Sequence, residues 1–493
     1  MGEKRYIIAL DEGTSSARAV LFDTKLNKIV AIDKRPFKQF YPNQGWVEHN
    51  PKHIWQAIKA CLLEVATHVE PNEIYGIGIT NQRETVVLWD KTTGEPVYNA
   101  IVWQDRRTAD YCSKVQQDKA LLETIRNKTG LGVSSYFSAT KISWILQNVP
   151  EAKKLLKQNK LCAGTIDTYL VWKLTKGESF ITDPSNASRT LLFNINTLAW
   201  DDDLLKLFEI PKSILPEIVP TSGLLAETSV LGYPLPIGSM VGDQQSALFG
   251  QACFKVGQTK NTYGTGCFLL TNVGNRPKIS KHRLLTSVAW KIGDEVSYAL
   301  EGGVFNTGSA IQWLQELGLI ADGTESEECA QKVQDSNGVY FVPAFTGLGA
   351  PWWNANARAV FTGIDRGANK NHMVRAVLES IAYSVADVFG VMKQDVGKEI
   401  DTICVDGGSS INDLLMQFQA DILNVKVARA DNIETTALGA IYLAGLGLGA
   451  YTGLAEIEKL VKKSKVFAPK ITVSERDKLL AGWAKAIKTA NAY

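Results

Sequence analysis

The sequence contains few residues of the kinds that form disulfides or bind metals. Its 493 residues include seven cysteines, with no Cys-x-x-Cys spacing, and only five histidines. We therefore exclude a disulfide framework and a zinc ribbon, and we expect no dedicated histidine metal site. Lys plus Arg number 53 and Asp plus Glu number 51, so the formal net charge is only +2. Such a small excess argues against electrostatic binding to nucleic acid or to a membrane surface.

Several familiar signals are also missing. The sequence has no Gly-x-x-x-x-Gly-Lys-Ser/Thr loop and no His-Arg-Asp with Asp-Phe-Gly, which argues against P-loop enzymes and protein kinases. Three of the first five residues are charged and no long apolar core follows them, so no signal peptide is expected. Residues 435–455 are uncharged but contain five glycines, which favours a buried helix and a loop over a membrane span. We therefore expect a cytoplasmic protein.

The opening of the chain predicts three β-strands separated by polar turns. The β-rich segments are residues 5–10, 17–22 and 28–33. A Rossmann unit would instead place a helix directly after the first turn. Residues 258–272 again show a strand, a Gly-Thr turn and a strand, which predicts a two-fold repeat with a boundary near residues 245–255.

The region between the two repeats gives two further expectations. Residues 105–128 are amphipathic and charged, which predicts one helix on the surface. Residues 213–237 contain four prolines, which predicts irregular structure.

Three glycine turns are suited to binding phosphate. Residues 11–18 and residues 261–266 each combine glycine with hydroxyl side chains between two strands, where backbone N–H groups can face phosphate oxygens. Residues 405–412 run from a strand through two glycines towards a helix. Ordinary turns would explain each motif alone, but the first two together predict a nucleotide held between similar domains.

Two polar motifs indicate a small hydroxylated substrate. Asp243 follows an apolar strand, where its carboxylate could deprotonate a hydroxyl or simply cap a helix. Residues 81–84 and residues 103–107 bring arginine, glutamate and tryptophan together in a pattern that suits a polyol. A surface cluster of ion pairs is the alternative for these residues.

Two longer strings, residues 136–148 and residues 359–379, resemble signatures of the FGGY carbohydrate kinases. The resemblance covers essentially the whole chain. It implies an α/β protein of two ribonuclease-H-like domains, as in actin and Hsp70, that close on ATP and Mg²⁺. It places the glycerol site and the first phosphate loop in residues 1–250, and the second loop and the adenosine site in residues 251–493. The implied reaction is ATP-dependent phosphorylation of glycerol to sn-glycerol 3-phosphate, by a homodimer or homotetramer.

The resemblance also implies roles for individual residues. Asp243 becomes the general base, and Asp11 becomes the carboxylate on the Mg²⁺ side. The implied glycerol contacts are Arg83, Glu84, Trp103, Tyr136, Asp243, Gln244 and Phe268. The implied nucleotide contacts are Thr14, Ser15, Ser16, Arg18, Thr265, Gly308, Gln312, Gly408 and Asn412.

The chain departs from the family pattern at a few positions. Glu12 replaces the usual glutamine of the first phosphate loop and suggests extra negative charge there, and Ala17 removes a hydroxyl. Residues 231–236 lack the Gly-Gly-x-Arg loop associated with fructose-1,6-bisphosphate inhibition, and the chain lacks the histidine phosphorylated in some relatives, so we predict neither control. The alternatives are a family member acting on another small polyol or ketose, and a non-catalytic ATP switch.

Overall fold

The computed structural model describes residues 3–354 and 356–492. The strands of the first half are β1 (Tyr6–Glu12), β2 (Ser16–Asp23), β3 (Lys28–Pro36), β4 (Gln39–Phe40), β5 (Glu48–His49), β6 (Ile74–Asn81), β7 (Val86–Asp90), β8 (Ala100–Ile101), β9 (Leu161–Thr165), β10 (Ile181–Thr182), β11 (Phe193–Asn194), β12 (Ala199–Trp200), β13 (Glu217–Ile218), β14 (Ser222–Thr228) and β15 (Leu235–Gly242). Its helices are α1 (Pro51–Ala66), α2 (Ala109–Val115), α3 (Lys119–Thr129), α4 (Ser138–Asn148), α5 (Pro150–Lys157), α6 (Ile166–Leu174), α7 (Pro184–Ala187), α8 (Asp202–Leu207) and α9 (Asp243–Gly250).

The second half continues in the same alternating style. Its strands are β16 (Thr259–Tyr263), β17 (Cys267–Gly274), β18 (Leu285–Ile292), β19 (Glu295–Val304), β20 (Tyr340–Val342), β21 (Val360–Thr362), β22 (Thr402–Asp406), β23 (Lys426–Ala430) and β24 (Lys463–Phe467). Its helices are α10 (Gly308–Glu316), α11 (Glu325–Gln331), α12 (Lys370–Val396), α13 (Asp413–Leu423), α14 (Thr435–Gly447), α15 (Leu454–Leu460) and α16 (Val473–Ala490).

One sheet of 13 strands runs through both halves. In the first half the order β3-β2-β1-β6-β15 joins three antiparallel strands to two parallel ones. The order β19-β17-β16-β22-β23 repeats that pattern in the second half. The expected α/β architecture of two ribonuclease-H-like units is therefore confirmed, whereas the boundary near residue 250 stays a prediction.

The two parts of the sheet meet at a narrow joint between β14 and β18. Ser222 pairs with Ile292 there. The N–H of Thr221 donates to the carbonyl of Lys291 at 2.8 Å. A few backbone hydrogen bonds thus connect the two halves of the sheet at this point.

The prediction of one helix over residues 105–128 is wrong. The structure has two helices, α2 and α3, because the helical conformation is interrupted at Asp118. The Asp118 carboxylate accepts a hydrogen bond from the N–H of Leu121 at 3.0 Å and caps α3. Aspartate is favoured at a helix start and disfavoured inside a helix, so the cap prevails over the continuous amphipathic pattern.

The prediction of irregular structure over residues 213–237 is also wrong for its second part. Strands β14 and β15 form an antiparallel pair there. The prolines do not prevent this, because Pro220 precedes β14, while Pro234 and Pro236 lie just before and at the start of β15. Proline is tolerated at the beginning of a strand, where fewer ladder hydrogen bonds are needed.

Helix α14 is buried between the halves, as expected for residues 435–455. Among the described residues no helix is long and apolar enough to cross a membrane. Helix α14 crosses α9 at a pair of glycines. A Cβ atom on Gly439 would lie 1.9 Å from the carbonyl oxygen of Ser246, and one on Gly250 would lie 2.1 Å from that of Thr435. Glycine is therefore required on both helices for this close approach.

Candidate active site

A large cavity of about 1490 Å³ lies between the two halves. Nine of the residues singled out in the sequence line it: Thr14, Arg83, Glu84, Trp103, Tyr136, Asp243, Gln244, Thr265 and Phe268. The others lie outside this lining: Asp11, Ser15, Ser16, Arg18, Gly308, Gln312, Gly408 and Asn412. The structure therefore gathers the predicted polyol residues into one cavity, together with one residue from each phosphate loop.

The first glycine turn joins β1 to β2. The N–H of Gly13 donates to the carbonyl of Ser16 at 3.0 Å. Asp11 and Arg18 are register partners on the two strands, and their side chains form an ion pair at 2.7 Å. Burial raises the pKa of Asp11, whereas Arg18 opposes that rise. The Trp103 indole N–H donates to Thr14 Oγ1 at 3.0 Å, which connects this turn to the residues predicted to bind the polyol.

Glu12 lies beneath the same turn and is fully buried. Its Oε1 accepts a hydrogen bond from Gln82 Nε2 at 2.7 Å. Burial raises the pKa of Glu12 well above its usual range. Burial therefore favours the neutral acid over the extra negative charge that the sequence suggested.

The second glycine turn joins β16 to β17 and supports the start of α10. The N–H of Gly264 donates to the carbonyl of Gly266 at 2.9 Å, and the N–H of Gly308 donates to that of Gly264 at 3.2 Å. A Cβ atom on Gly308 would lie 2.6 Å from the Gly264 oxygen, so a side chain would push the helix off the turn. Gln312 lies one turn further along α10, on its exposed side.

The diglycine motif follows β22 and packs beside the second turn. Gly407 has φ 86°. A Cβ atom on it would lie 2.5 Å from the Tyr263 carbonyl oxygen, whereas Gly408 faces open space. Asn412 caps α13 by accepting from the N–H of Leu415 at 2.8 Å, which leaves its amide nitrogen for other contacts.

The residues predicted to bind the polyol surround the floor of the cavity. Glu84 adopts φ 61°, a left-handed conformation that is costly for a non-glycine residue and that turns the chain sharply after β6. The Trp103 ring packs edge-on against Tyr136 and Phe268, with centroids 5.7 and 6.4 Å apart. These rings form an apolar wall beside the charged groups of Arg83 and Glu84.

Asp243 begins α9, and Gly242 rather than Asp243 occupies the N-cap position. The Asp243 side chain is 28% exposed, so a ligand in the cavity could reach it. Its Oδ1 lies 3.2 Å from Arg83 Nε and accepts from the N–H of Gln244 at 2.7 Å. Burial raises the pKa of this carboxyl, although Arg83 and Lys260 oppose the rise.

A buried chain of charges continues behind the cavity. Arg83 Nη1 and Nη2 donate to the two oxygens of Glu301 at 2.5 and 2.9 Å. Arg189 Nε donates to Glu84 Oε1 at 2.6 Å, and its Nη2 donates to Glu301 Oε1 at 3.2 Å. Although burial acts against ionisation, the two guanidinium groups lower the pKa of Glu301 to about 2. Each charge in this chain therefore has a partner of opposite sign.

Comparison with known proteins gives the family of the chain. Residues 6–250 match the N-terminal domain, and residues 259–448 the C-terminal domain, of the FGGY family of carbohydrate kinases. This chain belongs to that family. The resemblance found in the sequence is therefore confirmed.

Two curated FGGY relatives illustrate how similar the chain is to known proteins. A glycerol kinase from Shewanella sp. (strain ANA-3) is 51% identical over 490 residues, which are 98% of this chain and 99% of that protein. Glycerol kinase 1 from Clostridium tetani is 51% identical over 489 residues, 98% of each chain.

Two solved structures agree with the FGGY fold. The structure of Plasmodium falciparum glycerol kinase with ADP has a TM-score of 0.92 at 38% identity, over 99% of both chains. A ligand-bound xylulose kinase from Lactobacillus acidophilus has a TM-score of 0.87 at 25% identity, over 99% of both chains.

Three buried charged residues of this FGGY site were not predicted from the sequence. Arg189 and Glu301 belong to the charge chain described above. Lys260 Nζ donates to Gln244 Oε1 at 2.5 Å and to Thr262 Oγ1 at 2.8 Å. Burial lowers the pKa of Lys260 to about 8. The available signal was a charged residue within an otherwise uncharged strand, which holds for Lys260 in β16.

The described residues contain no group of three or more His, Cys, Asp or Glu side chains that could hold a metal ion. Mg²⁺ does not require such a group, because it usually keeps several waters and binds one or two carboxylates plus phosphate oxygens. The buried Asp11 carboxylate beside the first turn fits that type of binding.

Proposed function

We propose that this chain transfers the γ-phosphoryl group of ATP to glycerol and forms sn-glycerol 3-phosphate. The observation that carries the proposal is the floor of the cavity, where Arg83, Glu84 and Asp243 lie beside the ring wall and between two glycine turns. The identity to curated glycerol kinases over nearly the whole chain supports the same reaction.

The residues divide the work of binding a three-carbon polyol. Arg83 donates hydrogen bonds and Glu84 accepts them, so together they fix hydroxyl groups in a defined orientation. The rings of Trp103, Tyr136 and Phe268 cover the C–H groups. One hydroxyl then faces Asp243, which takes its proton as the oxygen attacks the γ-phosphorus, while ADP leaves.

The nucleotide lies across the two turns in this proposal. Backbone N–H groups of the turns, with Thr14 and Thr265, face the phosphates, and Gly408 leaves room for the adenosine. Asp11 is the carboxylate on the Mg²⁺ side, and the bound ion would neutralise charge on the phosphates. Closure over both substrates excludes water and limits ATP hydrolysis.

The test is ADP release by the purified protein with Mg²⁺-ATP, alone and with glycerol, dihydroxyacetone, erythritol, xylulose or gluconate. Strong stimulation by glycerol only is the expected result. Stimulation by another compound would show that the polyol is different, and a slow release indifferent to every polyol would favour a non-catalytic ATP switch. We further propose that the protein is a cytoplasmic homodimer or homotetramer. Sedimentation of the purified chain would test the number of subunits.

A further inference from the structure

Two residues behind the cavity connect the groups that contact substrate in the proposed function. Arg189 follows α7 in the first half, and Glu301 lies on β19 in the second half. Neither lines the cavity, and their exposed fractions are 0% and 1%. Arg189 donates a hydrogen bond to Glu301. Glu301 also accepts from Arg83, and Arg189 also donates to Glu84, so the two residues are placed to control the positions of Arg83 and Glu84.

Glu301 accepts two of the five hydrogen bonds that Arg83 can donate. A guanidinium has five N–H donors. Nη1 gives its two to Glu301 and to Gln245 Oε1, at 2.5 and 3.2 Å, and Nη2 gives one to Glu301. Nε faces Asp243 at 3.2 Å. One N–H on Nη2 is therefore left for a substrate hydroxyl, and Glu301 determines where it points.

Arg189 determines the orientation of Glu84 on the other side of the proposed polyol site. Its Nε bonds to Glu84 Oε1, which leaves Oε2 of Glu84 to accept from a substrate hydroxyl. Its guanidinium carbon also lies 5.5 Å from the centre of the Tyr136 ring and 5.3 Å from that of Phe137. The position of Arg189 therefore affects both an acceptor and a ring of the pocket.

We propose that Arg189 and Glu301 are positioning residues that set the affinity for the polyol without contacting it. This inference rests on the proposed function, since it assigns the substrate to Arg83 and Glu84. Without the Glu301 charge, the guanidinium of Arg83 would no longer be held in one orientation. Without the planar guanidinium of Arg189, the carboxylate of Glu84 would no longer be held in one orientation. In both cases the affinity for the polyol falls while the nucleotide turns keep their own contacts.

The test compares Glu301→Gln and Arg189→Lys with wild type in steady-state kinetics. We expect the KM for glycerol to rise about tenfold or more in each variant, because misplaced charged hydrogen bonds are lost, while the KM for ATP changes less than about twofold. Arg189→Lys keeps the charge but not the two-point fork, so its KM should also rise. An unchanged glycerol KM in either soluble variant would overturn the proposal.

Glu379→Gln is the matched control. Glu379 is also buried and bonds to an arginine, with Arg375 Nε 2.8 Å from its Oε1, but it lies on α12 outside the cavity. It should lower stability and leave the glycerol KM unchanged; an equal rise in this control would show a general effect of buried charge and would overturn the proposal. If wild type prefers another polyol, the proposed substrate fails while the same comparison, made with that polyol, still decides this inference.

Discussion

The crossing of α9 and α14 gives a quantitative prediction about one methyl group. Gly439 lies in the middle of α14, and a Cβ atom there would lie 1.9 Å from the backbone oxygen of Ser246 on α9. Gly390 lies inside α12, where a Cβ atom would meet nothing within 4 Å. Glycine-to-alanine substitution at these two positions therefore makes the same chemical change in opposite surroundings.

The magnitudes follow from the two environments. Alanine is favoured over glycine inside a helix by about 1 kcal/mol, so Gly390→Ala should stabilise the protein by about 0.5–1 kcal/mol. At Gly439 the helices must separate by about 1 Å, and the atom in the way is backbone that cannot rotate aside. Overpacking of this kind costs about 1–3 kcal/mol, and the helix preference for alanine offsets about 1 kcal/mol of it, so Gly439→Ala should be destabilising by up to about 2 kcal/mol net.

Urea denaturation of wild type and the two variants, followed by circular dichroism, measures the difference. A second readout is kcat, because α9 begins at Asp243 and any displacement of the helix moves the proposed base. We expect kcat to fall about tenfold or more in Gly439→Ala and to stay unchanged in Gly390→Ala. Equal stability of the two variants would refute the argument that the helices touch through backbone at Gly439.

Four further predictions follow from the site. Asp243→Asn should lower kcat about 10²–10⁴-fold and leave the Kd for ATP unchanged by calorimetry; wild-type turnover would exclude its role as base. Burial raises the pKa of Asp243, so kcat/KM for glycerol should fall with decreasing pH at a value above about 3.9, and an acid limb below that value would contradict this. The pKa of Glu301 is lowered to about 2, so its charge contributes stability above about pH 4.3 that is lost as pH falls towards 2. The difference in unfolding free energy between wild type and Glu301→Gln should shrink across that window. Low millimolar fructose 1,6-bisphosphate should leave activity unchanged, and clear inhibition would show that the segment 231–236 is not the determinant.

Local patterns predicted the strands and turns of the site well. Residues 5–33 and 258–272 alternate apolar and turn-forming residues over short distances, so their β-strands and glycine turns were found from the sequence. Helix α1 likewise begins at a local signal, since Asn50 caps it and Pro51 lies in its first turn. In these segments the local preference and the final fold agree, which is the condition for a successful prediction.

The charge chain could not be predicted in this way. Arg189 and Glu301 are separated by 112 residues and meet only because β19 packs beside the segment that follows α7. Arg189 lies in the turn after α7 and Glu301 precedes two glycines, but neither local pattern indicates a buried ion pair. Burial of a charge depends on partners that a sequence does not place in space. The helix break at Asp118 was missed for the opposite reason, since a single local cap prevailed over a longer amphipathic pattern.

The narrow joint between β14 and β18 has a mechanical consequence. Each half of the sheet is stiffened by long ladders of backbone hydrogen bonds, whereas the pairing of Ser222 with Ile292 spans only a small part of either strand. The hydrogen-bonded ladder therefore offers little resistance to bending at this seam, and the resistance there comes from α14 and the apolar core that both halves share. The two halves would open and close on substrate by pivoting at this seam and about the core that they share.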